Sequence, residues 1–141
     1  MGVTLSDDAR RLLVRFEDET DATVRDCVID DEHDRVLFLV AAGDMPEAIG
    51  PDGSHVRRVE EDLGRDVKLV EDADNPADFV ANALAPAAVY NVTMSRNDDL
   101  VAYVEVAEED RGAAIGTDGR NIDAARLLAD RHFDVDAIEL T

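Results

Sequence analysis

The sequence predicts an α+β protein made of two copies of one unit, each a three-stranded sheet with helices on one face. Three observations carry this. The segment Ala48-Ile49-Gly50-Pro51-Asp52-Gly53 returns as Ala114-Ile115-Gly116-Thr117-Asp118-Gly119, 66 residues further on, and such self-similarity is a primary sign of a duplicated architecture. Each copy follows one helical pattern and two strand patterns, and precedes a further helix and a last strand. The length of 141 residues suits two small domains.

In the first half, Ser6 is placed to cap a helix whose first turn holds Asp7 and Asp8. Leu5, Ala9, Leu12, Leu13 and Phe16 form its apolar stripe. Residues 23–29 read as a strand, 30–34 as a polar turn and 35–40 as a β-rich apolar run. Pro46 suits the start of a short helix through Ile49. After the glycine loop, Val56, Val59 and Leu63 share one helical face, and Gly64 suits a C-terminal stop. Residues 67–70 read as the last strand.

The second half repeats the order. Asn75-Pro76 with Asp78 predicts a helix start. Phe79, Val80, Ala83 and Leu84 carry its stripe, and Pro86 ends it. Residues 87–95 and 100–107 read as a hairpin around 96–99, and 108–115 as a short helix. Ile122, Ala125, Leu128 and Ala129 form the face of the next helix, and 135–140 close as a strand. Each half is therefore α-β-β-α-loop-α-β. The predicted domains are 1–71 and 75–141, with a short acidic junction near Glu71 to Asp74.

The charge balance is unusual. There are 34 acids against 14 bases, for a net charge of −20. Lys68 is the single lysine; the other bases are arginines. The acids are interleaved with apolar residues along the whole chain. A disordered chain would also be poor in hydrophobic residues, whereas here they make up 45%. An acidic tail would be one block. The composition predicts a folded protein from a salt-rich cytoplasm, where a Debye length of ~3 Å at molar salt screens self-repulsion. Acid that answers to the solvent says little about the partner, so the net charge does not exclude nucleic acid.

Cys27 is the single cysteine, which leaves no intramolecular disulfide and no cysteine zinc site. In a strand it reads as a small buried hydrophobe. No apolar run approaches the ~20 residues of a membrane helix, so the expectation is a soluble cytoplasmic chain without membrane contact. His33, His55 and His132 lie in different elements without metal-ligand spacing. No phosphate-binding Gly-x-x-x-x-Gly-Lys is present. The acid clusters Glu60-Glu61-Asp62 and Glu108-Glu109-Asp110 match no calcium loop. The expectation is no catalytic residue, no metal, no cofactor and no small-molecule substrate.

The chemistry centres on the two Gly-x-x-Gly loops. Glycine lets main chain approach a ligand without a Cβ in the way, and the N-terminus of the following helix favours phosphate. The order of elements around Gly50-Pro51-Asp52-Gly53 and Gly116-Thr117-Asp118-Gly119 is that of KH modules, whose loop of this form clamps about four nucleotides of single-stranded RNA. The stretch 48–70, with Ile-Gly-x-x-Gly and then Val-Arg-Arg-Val-Glu-Glu-Asp-Leu-Gly-Arg-Asp-Val-Lys-Leu-Val, resembles the first KH domain of the archaeal NusA family. Residues 75–87 resemble the joint to its second domain. Residues 114–128 resemble the second loop and helix, including Asn121. The resemblance covers nearly the whole chain. It implies two tandem type II KH domains, single-stranded RNA as ligand, and a role with RNA polymerase in transcription termination or antitermination. The expected state is a monomer.

The candidate RNA-binding residues are Ile49, Gly50, Pro51, Asp52, Gly53, Ser54, His55 and Arg57 in the first half, with Arg58 beside them. In the second half they are Ile115, Gly116, Thr117, Asp118, Gly119, Arg120 and Asn121. Ile49, Ile115, Val56 and Ile122 are placed either to shape a base-binding groove or to fill the core. For the arginines and His55 the alternative is a solvated helix face. KH loops often carry Lys or Arg between the glycines, whereas this chain has an aspartate in each loop. That departure motivates a second reading: a KH-fold scaffold that docks on RNA polymerase or ribosome-associated proteins without strong RNA binding.

Overall fold

The computed structural model describes residues 3–141. Helix α1 spans Asp7–Thr20. Its cap forms as the sequence predicts: the Ser6 hydroxyl accepts from the Ala9 N–H at 3.1 Å. The helix stops at Asp21, which takes the left-handed conformation. Ala9 and Phe16 are buried, and Leu5, Leu12 and Leu13 pack against the same core.

Strand β1 (Val24–Asp30) pairs antiparallel with β2 (Arg35–Val40), from Val24 opposite Val40 to Asp30 opposite Arg35. Strand β3 (Asp66–Glu71) lies along the other edge of β2, parallel to it. Parallel neighbours require a crossover connection. Here α2 (Met45–Ile49) and α3 (Ser54–Leu63) supply it, with the first glycine loop between them. Val36, Phe38 and Val40 join Phe16, Ala48 and Val59 in the core, and the Phe16 and Phe38 rings stand 4.4 Å apart. Cys27 is buried in the same cluster. Every residue of β2 is buried, as the unbroken apolar run Val36–Val40 implies for a strand covered on both faces. Arg35 at its start is paired with Asp30 at 2.8 Å.

The second unit repeats this plan. Helix α4 (Pro76–Ala83) is capped by Asn75, whose side-chain oxygen accepts from the Asp78 N–H at 2.9 Å. Strands β4 (Val89–Arg96) and β5 (Leu100–Val106) form the predicted hairpin. Strand β6 (Ala137–Leu140) runs parallel to β5 on its far edge. The crossover is α5 (Arg111–Ile115), the second glycine loop and α6 (Arg120–Phe133). Phe79, Val80, Leu84, Ala102, Val104, Ile122, Leu128 and Ile138 are buried here. Strand β5 alternates buried and open positions, with Tyr103 and Glu105 exposed. It therefore differs from its counterpart β2.

The chain divides into two units between Asp72 and Ala73. One predicted element changes form. Residues 108–115 make a 3₁₀ turn over Glu108–Asp110 before α5, not one continuous helix. The Asp110 carboxylate is turned away to accept from the Ala88 N–H at 2.8 Å. Asp44, at the same place in the first unit, accepts from the Thr23 N–H at 2.9 Å. In both units this aspartate ties the crossover to the chain just before the first strand.

Candidate nucleic-acid interface

The two Gly-x-x-Gly loops have one backbone conformation. Gly50 stands at φ 75°, ψ 171° and Gly116 at φ 78°, ψ 167°. Gly50–Gly53 and Gly116–Gly119 each form a four-residue β-turn, closed by the Gly53 N–H to the Gly50 carbonyl at 3.1 Å and the Gly119 N–H to the Gly116 carbonyl at 3.0 Å. Asp52 and Asp118 both lie in the left-handed region, at φ 54° and 55°. Asp tolerates that region because its short polar side chain bonds locally. Lysine and arginine tolerate it less well. The aspartates that depart from the basic loop pattern are thus seated where the turn demands a positive φ.

Close approach explains the first glycine of each loop. A Cβ on Gly50 would lie 2.4 Å from Cγ of His55, and one on Gly116 would lie 2.8 Å from the backbone nitrogen of Asn121. His55 and Asn121 occupy the same position in the two units, and both staple the loop from within. His55 Nδ1 lies 2.7 Å from the Glu47 carbonyl. A carbonyl only accepts, so Nδ1 carries the proton. The Asn121 amide donates to the carbonyls of Leu84, Ala113 and Ala114 at 3.1, 3.2 and 3.3 Å. Asn121 is only 8% exposed, bonded to both α5 and the end of α4, whereas His55 bonds to the Glu47 carbonyl and is half-buried. Ala113 is the positional equivalent of Glu47, so the two staples serve the same bend.

The apolar candidates separate into two pairs. Ile49 and Ile115, 39% and 40% exposed, lie on the surface at the lip of each loop. Of the other pair, Ile122 is buried and Val56 is half-buried. The sequence left groove and core open for these positions; exposure puts Ile49 and Ile115 outside the core and Ile122 within it. Pro51, Asp52, Thr117 and Asp118 are exposed, while Gly53, Ser54, Gly119 and Arg120 are half-buried. Arg57 folds back over the first loop, donating from its guanidinium to the Asp52 carbonyl. Arg58 is exposed one position on and sits close enough to act on the Glu19 carboxyl. One residue of this region escaped the sequence reading: Asp123, the positional equivalent of Arg57. Its carboxylate stands 3.7 Å from where a Gly119 Cβ would be and 3.8 Å from Arg126. The 66-residue offset was the signal that would have found it.

This geometry offers main-chain approach at two glycine turns, a helix N-terminus behind each, an exposed isoleucine beside each, and a guanidinium over the first. Those are parts for holding a phosphodiester chain and the bases attached to it. Among the described residues, no helix is long and apolar enough to cross a membrane.

Comparison with known proteins agrees with this arrangement. Residues 12–74 match the KH domain family, and residues 76–141 match the NusA-like second KH domain family. The "Probable transcription termination protein NusA" of Halobacterium salinarum is 60% identical over 141 residues, covering 100% of both chains. The protein of that description from Halococcus morrhuae is 59% identical over 140 residues, 99% of each chain. Its counterpart from Methanocaldococcus jannaschii is 33% identical over 126 residues, which cover 89% of this chain and 68% of that one. A solved structure described as "Crystal structure of APE1850" superposes with a TM-score of 0.86 at 28% identity, over 97% of this chain and 100% of that one. With the duplicated glycine turns, the repeated topology and these full-length matches together, the chain belongs to the NusA family and consists of two tandem KH domains.

Proposed function

We propose that this chain is an RNA-binding factor of transcription termination or antitermination that holds single-stranded RNA along its two glycine loops. The observation that carries the proposal is the identical left-handed turn at Gly50–Gly53 and Gly116–Gly119, each set before a helix N-terminus and beside an exposed isoleucine. The contact set is the Ile49–His55 and Ile115–Asn121 segments with Arg57. Within it, His55 and Asn121 act mainly by holding the bend, and the neighbouring glycines and isoleucines face the ligand. The reading extends to a monomer of the cytoplasm that meets RNA polymerase during transcription; its transcription role is supported by relatives described as transcription termination proteins.

The scaffold reading drew its force from an aspartate in each loop. The positive φ at Asp52 and Asp118 supplies a conformational reason for those residues, so they no longer argue against RNA. The test is fluorescence anisotropy with a labelled single-stranded RNA at about 2 M KCl, where surface charge is screened. Wild type is expected to bind measurably. The pair Ile49→Ala and Ile115→Ala is expected to weaken binding at least about 5-fold, a modest loss for two apolar base contacts, with an unchanged urea midpoint. A wild-type chain that binds no single-stranded RNA at any salt rejects the proposal.

A further inference from the structure

The two loops share a backbone but differ in what covers it. In the first, the Arg57 guanidinium lies against Gly53: its Nη1 would be 3.0 Å from a Cβ there. A hydrogen bond to the Asp52 carbonyl holds it in place. Arginine has five N–H donors, so this bond leaves others for a phosphate. In the second loop, the same position over Gly119 holds the Asp123 carboxylate, at 3.7 and 3.9 Å. The approach to the second loop is also more acidic: Glu108, Glu109 and Asp110 precede α5, where the first unit has Asp44 alone at the matching positions. Arg120 is the cation of this second loop, packed along Gly116. The main chain differs in the opposite sense. Pro51 has no N–H to give, whereas Thr117 has both an amide and a hydroxyl.

We infer that the two KH domains of this chain are electrostatically unequal clamps: the first holds RNA phosphate by the Arg57 guanidinium, and the second engages RNA only when salt screens Asp123. This inference rests on the RNA-binding reading above. Its physical consequence is a pair of opposed salt responses. A guanidinium–phosphate contact weakens as salt rises, because each released counterion gains less entropy on entering a more concentrated solution. The Asp123 carboxylate beside the second loop, whose exposed pair with Arg126 at 3.8 Å contributes little, repels phosphate at low salt and loses that effect as the Debye length falls to ~3 Å near 1 M. The first domain therefore carries the affinity at moderate salt, and the second adds its share only toward molar salt.

The test uses the full chain and one labelled single-stranded RNA, titrated at about 0.5 M and about 3 M KCl. Wild type, Arg57→Ala and Asp123→Asn are compared, with circular dichroism at each salt to confirm folding. Arg57→Ala is expected to lose about 10-fold in affinity at the lower salt and to reduce the salt slope by about one. Asp123→Asn is expected to gain about 3-fold at the lower salt and nothing at the higher, the size of one screened charge. Ultraviolet crosslinking at the lower salt is expected to join RNA to peptides of the first unit well above those of the second. Wild type that binds RNA while Arg57→Ala leaves affinity and slope unchanged, or with crosslinks shared equally at the lower salt, overturns the inference and leaves the RNA reading standing. Wild type that binds no RNA overturns both.

Discussion

Among the described residues, each non-glycine residue with positive φ is an aspartate: Asp21, Asp34, Asp52, Asp118 and Asp134. Two end α1 and α6, one closes the β1–β2 turn and two shape the glycine loops. An acidic composition thus meets a backbone need, because Asp enters the left-handed region at lower cost than most residues. Asp52→Asn with Asp118→Asn keeps that conformation and removes two charges. The expected result is an unfolding free energy within about 0.5 kcal/mol of wild type and tighter RNA binding at moderate salt. Asp52→Val is expected to cost about 1–2 kcal/mol, since a β-branched side chain resists positive φ. The stapling residues make a second comparison. Asn121→Ala leaves three carbonyls without their buried donor and is expected to cost about 1–3 kcal/mol. His55→Ala, which removes one more exposed bond, is expected to cost about 0.5–1 kcal/mol. Chemical denaturation of the four variants at one KCl concentration reads both comparisons.

At the scale of elements, the two units use the same topology with differently covered sheets. Strand β2 is buried throughout, while β5 alternates. The neighbour of β2 on its parallel edge, β3, carries Lys68. Loss of hydration, with the Arg35 charge adding to it, lowers the Lys68 ammonium from its ordinary 10.5 to about 8. The folded value lies below the unfolded one, so between them the unfolded chain binds the extra proton. Stability therefore rises as pH climbs from about 8 toward 10.5, and the penalty is present in full below about 8. Urea midpoints taken at about pH 7.5 and about pH 9.5 are expected to increase, and Lys68→Met is expected to flatten that increase. A midpoint that falls over this range would count against a desolvated ammonium.

At the scale of the molecule, 34 acids against 14 bases make salt a structural component. The exposed acids repel one another, and several of their ion pairs with arginine are long and solvent-facing, as in Arg15 with Asp62 and Arg65 with Asp34 at 3.8 and 3.9 Å. Such pairs contribute little. Screening by the solvent is the larger effect. The melting temperature is expected to rise by at least about 10 °C between about 0.2 M and about 3 M KCl, checked by thermal scans at fixed pH. Equal melting temperatures at the two salts would refute the halophilic account of the charge. The relatives from Halobacterium and Halococcus fit that account.

Most of the fold was legible in the sequence. The Ser6 and Asn75 caps, the Gly64 stop, the stripes of α1 and α4 and the 66-residue repeat are local patterns, and local patterns report the backbone period and its ends directly. The loops themselves were legible for the same reason, since Gly50, Gly53, Gly116 and Gly119 mark turns by residue type. What covers those loops was not. The placement of Arg57 over Gly53, of Asp123 over Gly119 and of Asn121 beneath α5 depends on side chains crossing from one element to another. The distinction between exposed Ile49 or Ile115 and buried Ile122 depends on which helix face meets the sheet. The break between Asp110 and Arg111 followed from a bond to Ala88, distant in sequence. The sequence alone determined that there are two glycine turns and where they lie. Only the tertiary structure decided that they are unequal, because charge acts through space and the chain pattern records only order.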